Sequence, residues 1–173
     1  RPLVEAGVRR MNISLDSLDP ERFRAITRNG DLRQVLGGIE AARDAGFERV
    51  KLNCVVMKGR NFDEVPALVQ YAIDQGLDIS FIEEMPLGEI SSHKRVETQI
   101  TSAQIREQLA AEFTMLDSAE TTGGPSRYMQ VANSDSKIGF ISPMSNNFCE
   151  SCNRVRMTAE GRLLLCLGNQ DSL

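Results

Sequence analysis

The chain has 173 residues, 41% hydrophobic and 25% charged, the make-up of an ordinary globular protein with room for one domain, or for most of one plus a small appendage. A net charge of −4, 5% aromatic residues and no tryptophan argue against a general nucleic-acid binder, with its basic surface and stacking platforms. No apolar run approaches a membrane span, no signal peptide opens the chain, and four cysteines with one remote from the rest make no secreted disulfide framework, so a reducing cytoplasm is expected.

Taken in order, the opening residues read as the tail of a helix ending at Gly7, where a left-handed cap falls. Arg10 to Asp16 alternates, Met11, Ile13 and Leu15 against Asn12, Ser14 and Asp16, and predicts a strand with one apolar and one polar face. Asp19-Pro20-Glu21 starts a helix that Asn29-Gly30 breaks, and Asp31 caps a second helix that runs to Gly46. Arg49 to Met57 is a strand with Lys51 and Asn53 in one row and Leu52, Cys54 and Val56 in the other. A helix over Asn61 to Gln75 and a strand over Asp78 to Glu84 follow, the strand leading into Met85.

Strand and helix alternating at these spacings mean parallel pairing with helical crossovers. Polar residues at alternate strand positions suggest an incomplete (β/α) barrel, helices outside and a polar lumen within, rather than a sheet buried on both faces. The fold class is therefore α/β, with residues 1–97 as part of such a barrel. Residues 98–173 form a second, β-rich region: a polar linker around Ser91 to Gln99, a helix from Thr101, strands over Tyr128 to Val131 and Lys137 to Ile141, and a terminal hairpin about Ala159-Glu160-Gly161.

That hairpin belongs to the most informative stretch, Phe148 to Cys166. Cys149, Cys152 and Cys166 are spaced C-x2-C-x13-C, two thiols in one turn and a third returned by the hairpin, which is a metal-binding arrangement. Three sulfurs without an evident fourth ligand suit an iron-sulfur cluster with one open iron, a zinc ribbon closed from elsewhere, or plain structural thiols. The only histidine, His93, lies far upstream in a polar stretch. Arg154 and Arg156 alternate beside the cysteines, where a strand would aim both at one phosphate or carboxylate, or simply at solvent. Lys51 on a polar strand face could meet a ligand phosphate or water; Ser14 and Met85, read alone, are ordinary strand and core residues.

With those motifs placed, the chain resembles the GTP 3′,8-cyclase family of molybdenum-cofactor biosynthesis, which belongs to the radical S-adenosylmethionine enzymes. The likeness rests on Asn12-Ile13-Ser14-Leu15-Asp16-Ser17-Leu18, Thr122-Gly123-Gly124-Pro125-Ser126-Arg127-Tyr128, Ile138-Gly139-Phe140-Ile141-Ser142-Pro143 and the Cys149 to Cys166 block, in the family's order. It implies a lyase that converts GTP to (8S)-3′,8-cyclo-7,8-dihydroguanosine 5′-triphosphate by a 5′-deoxyadenosyl radical, on a partial barrel followed by a region carrying a second [4Fe-4S] cluster. By position it implies that Cys149, Cys152 and Cys166 hold that second cluster, that Lys51, Arg154, Val155 and Arg156 meet GTP, and that Ser14 and Met85 line the S-adenosylmethionine site. A homodimer is implied too, while the charge and composition above argue against nucleic-acid and membrane partners.

The family's radical-generating cluster is held by a C-x3-C-x2-C motif, and this chain has no such motif, since its remaining cysteine is Cys54 in an apolar strand row. The expectation is an internal piece of the enzyme that, alone, does not cleave S-adenosylmethionine. The competing readings are a zinc-ribbon interaction module and an iron-sulfur electron carrier on an α/β scaffold.

Overall fold

A computed structural model describes residues 2–85, 94–120, 123–152 and 154–166. Helix α1 (Pro2–Glu5) ends at Gly7, whose φ of +90° is the left-handed conformation expected there. Strand β1 (Arg10–Ser14) is followed by α2 (Pro20–Thr27) and α3 (Leu32–Asp44), each started by an aspartate, Asp19 and Asp31, whose carboxylate accepts from a first-turn backbone N–H. Strand β2 (Arg49–Val56), helix α4 (Val65–Asp74) and strand β3 (Asp78–Glu83) complete the parallel unit.

The helix expected from Asn61 differs at its start. Residues Phe62–Glu64 form a 3-10 turn, and Asn61 is wholly buried with its side chain used elsewhere. Its amide donates to the carbonyls of Asp16 (2.8 Å) and Val55 (2.9 Å) and its Oδ1 accepts from Met57 N–H (2.8 Å). That side chain ties the ends of β1 and β2 together, so it cannot also cap a helix.

Helix α5 (Arg95–Thr98) lies where a polar linker was expected; residues 86–93, with Pro86 to Gly88 and His93, fall outside the described residues. Thr98 is buried, its hydroxyl on Glu84 (2.9 Å) and its carbonyl accepting from Lys58 N–H (2.7 Å), and Ile100 just beyond it enters the core, so polar and apolar contacts together draw this segment in. Helix α6 (Ser102–Ala110) begins with a reciprocal capping box between Thr101 and Gln104. Strands β4 (Met115–Asp117), β5 (Arg127–Val131) and β6 (Lys137–Ile141) then join the same sheet, in the order β1-β2-β3-β6-β5-β4. β6 runs parallel to β3, while β5 and β4 return antiparallel, so the sheet continues across residues 97 and 98 without a break. Strand β4 has no counterpart in the sequence reading: three residues are too few to show alternation.

The two faces of this sheet differ. One carries Leu52, Cys54, Val56, Ile79, Phe81, Ile138 and Phe140, all buried against Ile39 and Ala42 of α3, Leu68, Val69 and Ala72 of α4, and Ile105 and Leu109 of α6. Burying a side chain of this size contributes about 1.5–3 kcal/mol, which makes this face the main source of stability. Phe140 belongs to this core, stacked obliquely on Phe81 at 6.5 Å between ring centroids, with the Arg106 guanidinium 4.5 Å from its ring. The other face carries Asn12, Ser14, Lys51, Asn53, Asp78 and Ser80 in continuous register, Asn12 beside Lys51 beside Asp78, and Ser14 beside Asn53 beside Ser80.

The second of those rows continues through Gly139 to Tyr128. A Cβ at Gly139 would collide with the hydroxyls of Ser80 and Ser126 and touch the Tyr128 ring. The Gly139→Ala variant is therefore expected to lose about 1–3 kcal/mol, the ordinary cost of overpacking, measured by urea denaturation.

Candidate functional site

Lys51 stands on the polar face of β2, half-buried, and donates to the Tyr128 hydroxyl at 3.1 Å. Tyr128 is 4% exposed and starts from β5, two strands beyond β3 in the sheet. Its ring reaches back over Gly139, the one position on that path without a side chain. Around Lys51 is a cavity of about 200 Å³ lined by Arg10, Met11, Asn12, Arg49, Lys51, Asp78, Tyr128 and Arg154. The carboxylate of Asp78 is already engaged, Oδ2 with Arg49 at 3.0 Å and Oδ1 with Lys137 N–H at 3.0 Å. Four cations and one committed carboxylate make this cavity a place for an anion, within a chain whose net charge is −4.

The structure thus brings two of the predicted residues, Lys51 and Arg154, into one cavity from distant parts of the chain. Ser14 lies on the same sheet face one register step further on, exposed beside Asn53. The Oδ1 of Asn53 is buried without a hydrogen-bond partner among the described residues, an acceptor in want of a donor between Ser14 and Ser80. Met85 is half-buried just past β3. Val155 is 59% exposed, and Arg156 is exposed in strand β7 (Arg156–Met157); neither lines the cavity. Arg10, Arg49 and Tyr128 were not singled out as site residues in the sequence. Alternation could have found the two arginines, since Arg10 shares a face with Asn12 and Arg49 with Lys51, but only the sheet order puts Tyr128 there.

The cysteine segment has the expected local form. Cys149–Ser151 make a 3-10 turn in which Cys149 N–H donates to Asn147 Oδ1 (2.8 Å) and Cys152 N–H to Cys149 C=O (3.2 Å). β7 then pairs antiparallel with β8 (Leu163–Leu164) about Gly161, whose φ of +82° closes the turn. Cys149, Cys152 and Cys166 are all exposed. Among the described residues no three His, Cys, Asp or Glu side chains are gathered to hold a metal, so the hairpin forms but the three thiols do not converge. The donor chemistry nonetheless fits a thiophilic centre: three accessible sulfurs on short turns, which a bound metal would have to draw together. Cys54 is different, wholly buried, its thiol pushed well above the ordinary range by burial first and by the nearby Asp16 second.

Glu83 anchors this segment. At 1% exposure its carboxylate accepts from Ser102 N–H (2.7 Å), Met144 N–H (3.0 Å), Ser145 N–H (2.8 Å) and the Ser145 hydroxyl. Burial alone raises its pKa, and these four donors outweigh burial and hold it below the usual carboxylate value. Because the folded pKa lies below the unfolded one, this stabilisation is present above about pH 4.3 and is lost as pH falls through the folded value. Glu83→Gln is expected to cost about 2–4 kcal/mol at pH 7 and to flatten the acid limb of stability against pH, read by denaturation between pH 7 and 3.

Parallel strands clad by helices on one side and bearing a ligand-sized polar face on the other define a partial α/β barrel scaffold, and residues 1–72 match the Radical SAM superfamily model. Residues 77–173 match the Molybdenum Cofactor Synthesis C model, more than half of the chain, and the chain belongs to that family. Over 174 residues it is 63% identical to a GTP 3′,8-cyclase of Pseudomonas entomophila (strain L48), an alignment that takes in 100% of this chain and 52% of that protein. It is 62% identical to the GTP 3′,8-cyclase of Pseudomonas fluorescens (strain Pf0-1), over 99% of this chain and 52% of the relative. It is also 62% identical to GTP 3′,8-cyclase 1 of Pseudomonas aeruginosa, over 100% of this chain and 53% of the relative. The chain spans about half the length of the curated relatives it matches. Among the described residues no helix is long and apolar enough to cross a membrane.

Proposed function

We propose that this chain is the substrate-binding and second-cluster part of a GTP 3′,8-cyclase, the lyase that forms (8S)-3′,8-cyclo-7,8-dihydroguanosine 5′-triphosphate for molybdenum-cofactor biosynthesis. The observation that carries the reading is the cavity shared by Lys51 of β2 and Arg154 of the cysteine segment. A structural zinc ribbon or an electron carrier has no use for an anion pocket built jointly by its metal loop and a barrel strand.

In this reading the GTP triphosphate enters the cationic cavity, where Lys51 and Arg154 neutralise it and Arg49, fixed by Asp78, adds a directed guanidinium. Val155 and Arg156 follow Arg154 on the same segment and would meet the nucleotide from there. Cys149, Cys152 and Cys166 would hold a [4Fe-4S] group, which when bound would supply iron for the guanine to approach. Ser14, with the unpaired Asn53 acceptor beside it, and Met85 at the end of β3 lie toward the C-terminal strand ends, where parallel folds take ligands, and would receive S-adenosylmethionine. The radical-generating cluster has no cysteine ligands in this chain. The work belongs in the cytoplasm, where thiols stay reduced, and to a homodimer.

Two measurements test this. Anaerobic reconstitution should give brown protein with about four irons per second-cluster site, and Cys152→Ser should remove most of that iron and the associated absorbance. One zinc bound in colourless protein would favour the ribbon instead. Arg154→Gln should retain the iron yet weaken GTP binding roughly tenfold or more in equilibrium titrations, an effect an electron carrier would not show.

A further inference from the structure

The polar face holds more positive charge than the predicted site uses. Arg10 and Arg49 stand directly opposite one another in the β1–β2 register, and Lys51 is two residues further along β2 on the same face. Like charges opposed across a sheet are unfavourable, and nothing in the fold relieves all three. Arg49 is engaged by Asp78 and by Glu120, each at 3.0 Å. Arg10 and Arg154 have no carboxylate partner among the described residues, although Arg9 next to Arg10 pairs with Glu48 on the other side of the strand. Arg10 therefore brings an uncommitted guanidinium to the cavity that Lys51 and Arg154 already share.

Tyr128 has a different part. A lysine ammonium on four methylenes is mobile, and holding it at one point requires an acceptor that does not cancel its charge. The Tyr128 hydroxyl meets that need: it accepts from Lys51 at 3.1 Å, it is neutral, and its ring is fixed by burial in the gap left at Gly139. A carboxylate in that place would neutralise the lysine and spoil the pocket for an anion.

We propose that Arg10 and Tyr128 complete a polyphosphate-selective subsite on this face, Arg10 as a phosphate-contacting cation and Tyr128 as the residue that positions Lys51. This rests on the nucleotide reading above and adds what makes the site prefer a triphosphate to a bare nucleoside. Three cations without a carboxylate partner among the described residues, Arg10, Lys51 and Arg154, with Arg49 behind them, match the charge of a triphosphate far better than that of a neutral ligand.

The test uses the whole protein that carries this chain, with its clusters reconstituted, and compares GTP with guanosine by equilibrium competition. Arg10→Gln should weaken GTP by about ten- to a hundredfold and leave guanosine unchanged, with Arg10→Lys recovering part of the loss. Tyr128→Phe, which keeps the ring and removes the acceptor, should weaken GTP by about three- to tenfold. That loss should largely vanish in a Lys51→Met background, which a merely structural tyrosine would not show. GTP affinity of Arg10→Gln within twofold of the parent, or equal losses for GTP and guanosine, overturns the proposal while leaving the nucleotide reading intact. A parent protein that binds GTP no more tightly than guanosine overturns both.

Discussion

A charge is buried at the end of β3, and the placement of the cysteine segment depends on it. Glu83 is almost without solvent, where an unpaired carboxylate would not stay ionised. Four donors keep it so, one from the start of α6 and three from Met144 and Ser145. Those donors are not spare: the Ser102 N–H is one of the orphan groups at a helix start, and the two turn amides have no strand to pair with. One side chain thus satisfies a helix terminus and a turn together, and fixes where the chain leaves the sheet on its way to Cys149. The Ser102 and Ser142 hydroxyls, 2.6 Å apart, add a second tie at the same junction. Hydrophobic burial makes the core, but it is non-directional; this polar clamp gives the departing segment its heading.

The same division of labour runs across the sheet. Its apolar side is covered by three helices and needs only volume and hydrophobicity. Its polar side is specified atom by atom: Gly139 must be bare so that Ser80, Ser126 and the Tyr128 ring fit, and Tyr128 must cross there to reach Lys51. Strand register is what connects the two. A one-residue slip of β2 would turn Lys51 and Asn53 into the core and Leu52 and Cys54 outward, so the force that buries the one row presents the other. The site needs no separate folding signal; it is the underside of the core.

This explains how much could be read beforehand. The period-2 rows of β1 and β2, the aspartate caps of α2 and α3 and the left-handed glycines are local, and the chain states them directly. The parallel order of β1, β2 and β3 followed from crossover length. What could not be read was set by contacts distant in sequence. That β6 lies against β3, that β4 forms at all, and that Asn61 leaves its helix to join Asp16 and Val55 are tertiary outcomes with no local signature. Lys51 and Arg154 could be named separately; their meeting in one cavity is a property of the fold.

The cysteines are the remaining contrast. Lys51, Tyr128 and Arg49 are held by contacts within the protein. Cys149, Cys152 and Cys166 are exposed, on a turn and a two-residue ladder too short to be rigid alone, and stand apart. Bringing three sulfurs together as thiolates costs charge repulsion, which a shared cation offsets. With the hairpin already paired, a thiophilic group bound there would have to bring together only the three thiols that it carries. Arg154 follows Cys152 by two residues and lines the cavity with Lys51, so the cysteine segment and the barrel strand meet at that one side chain.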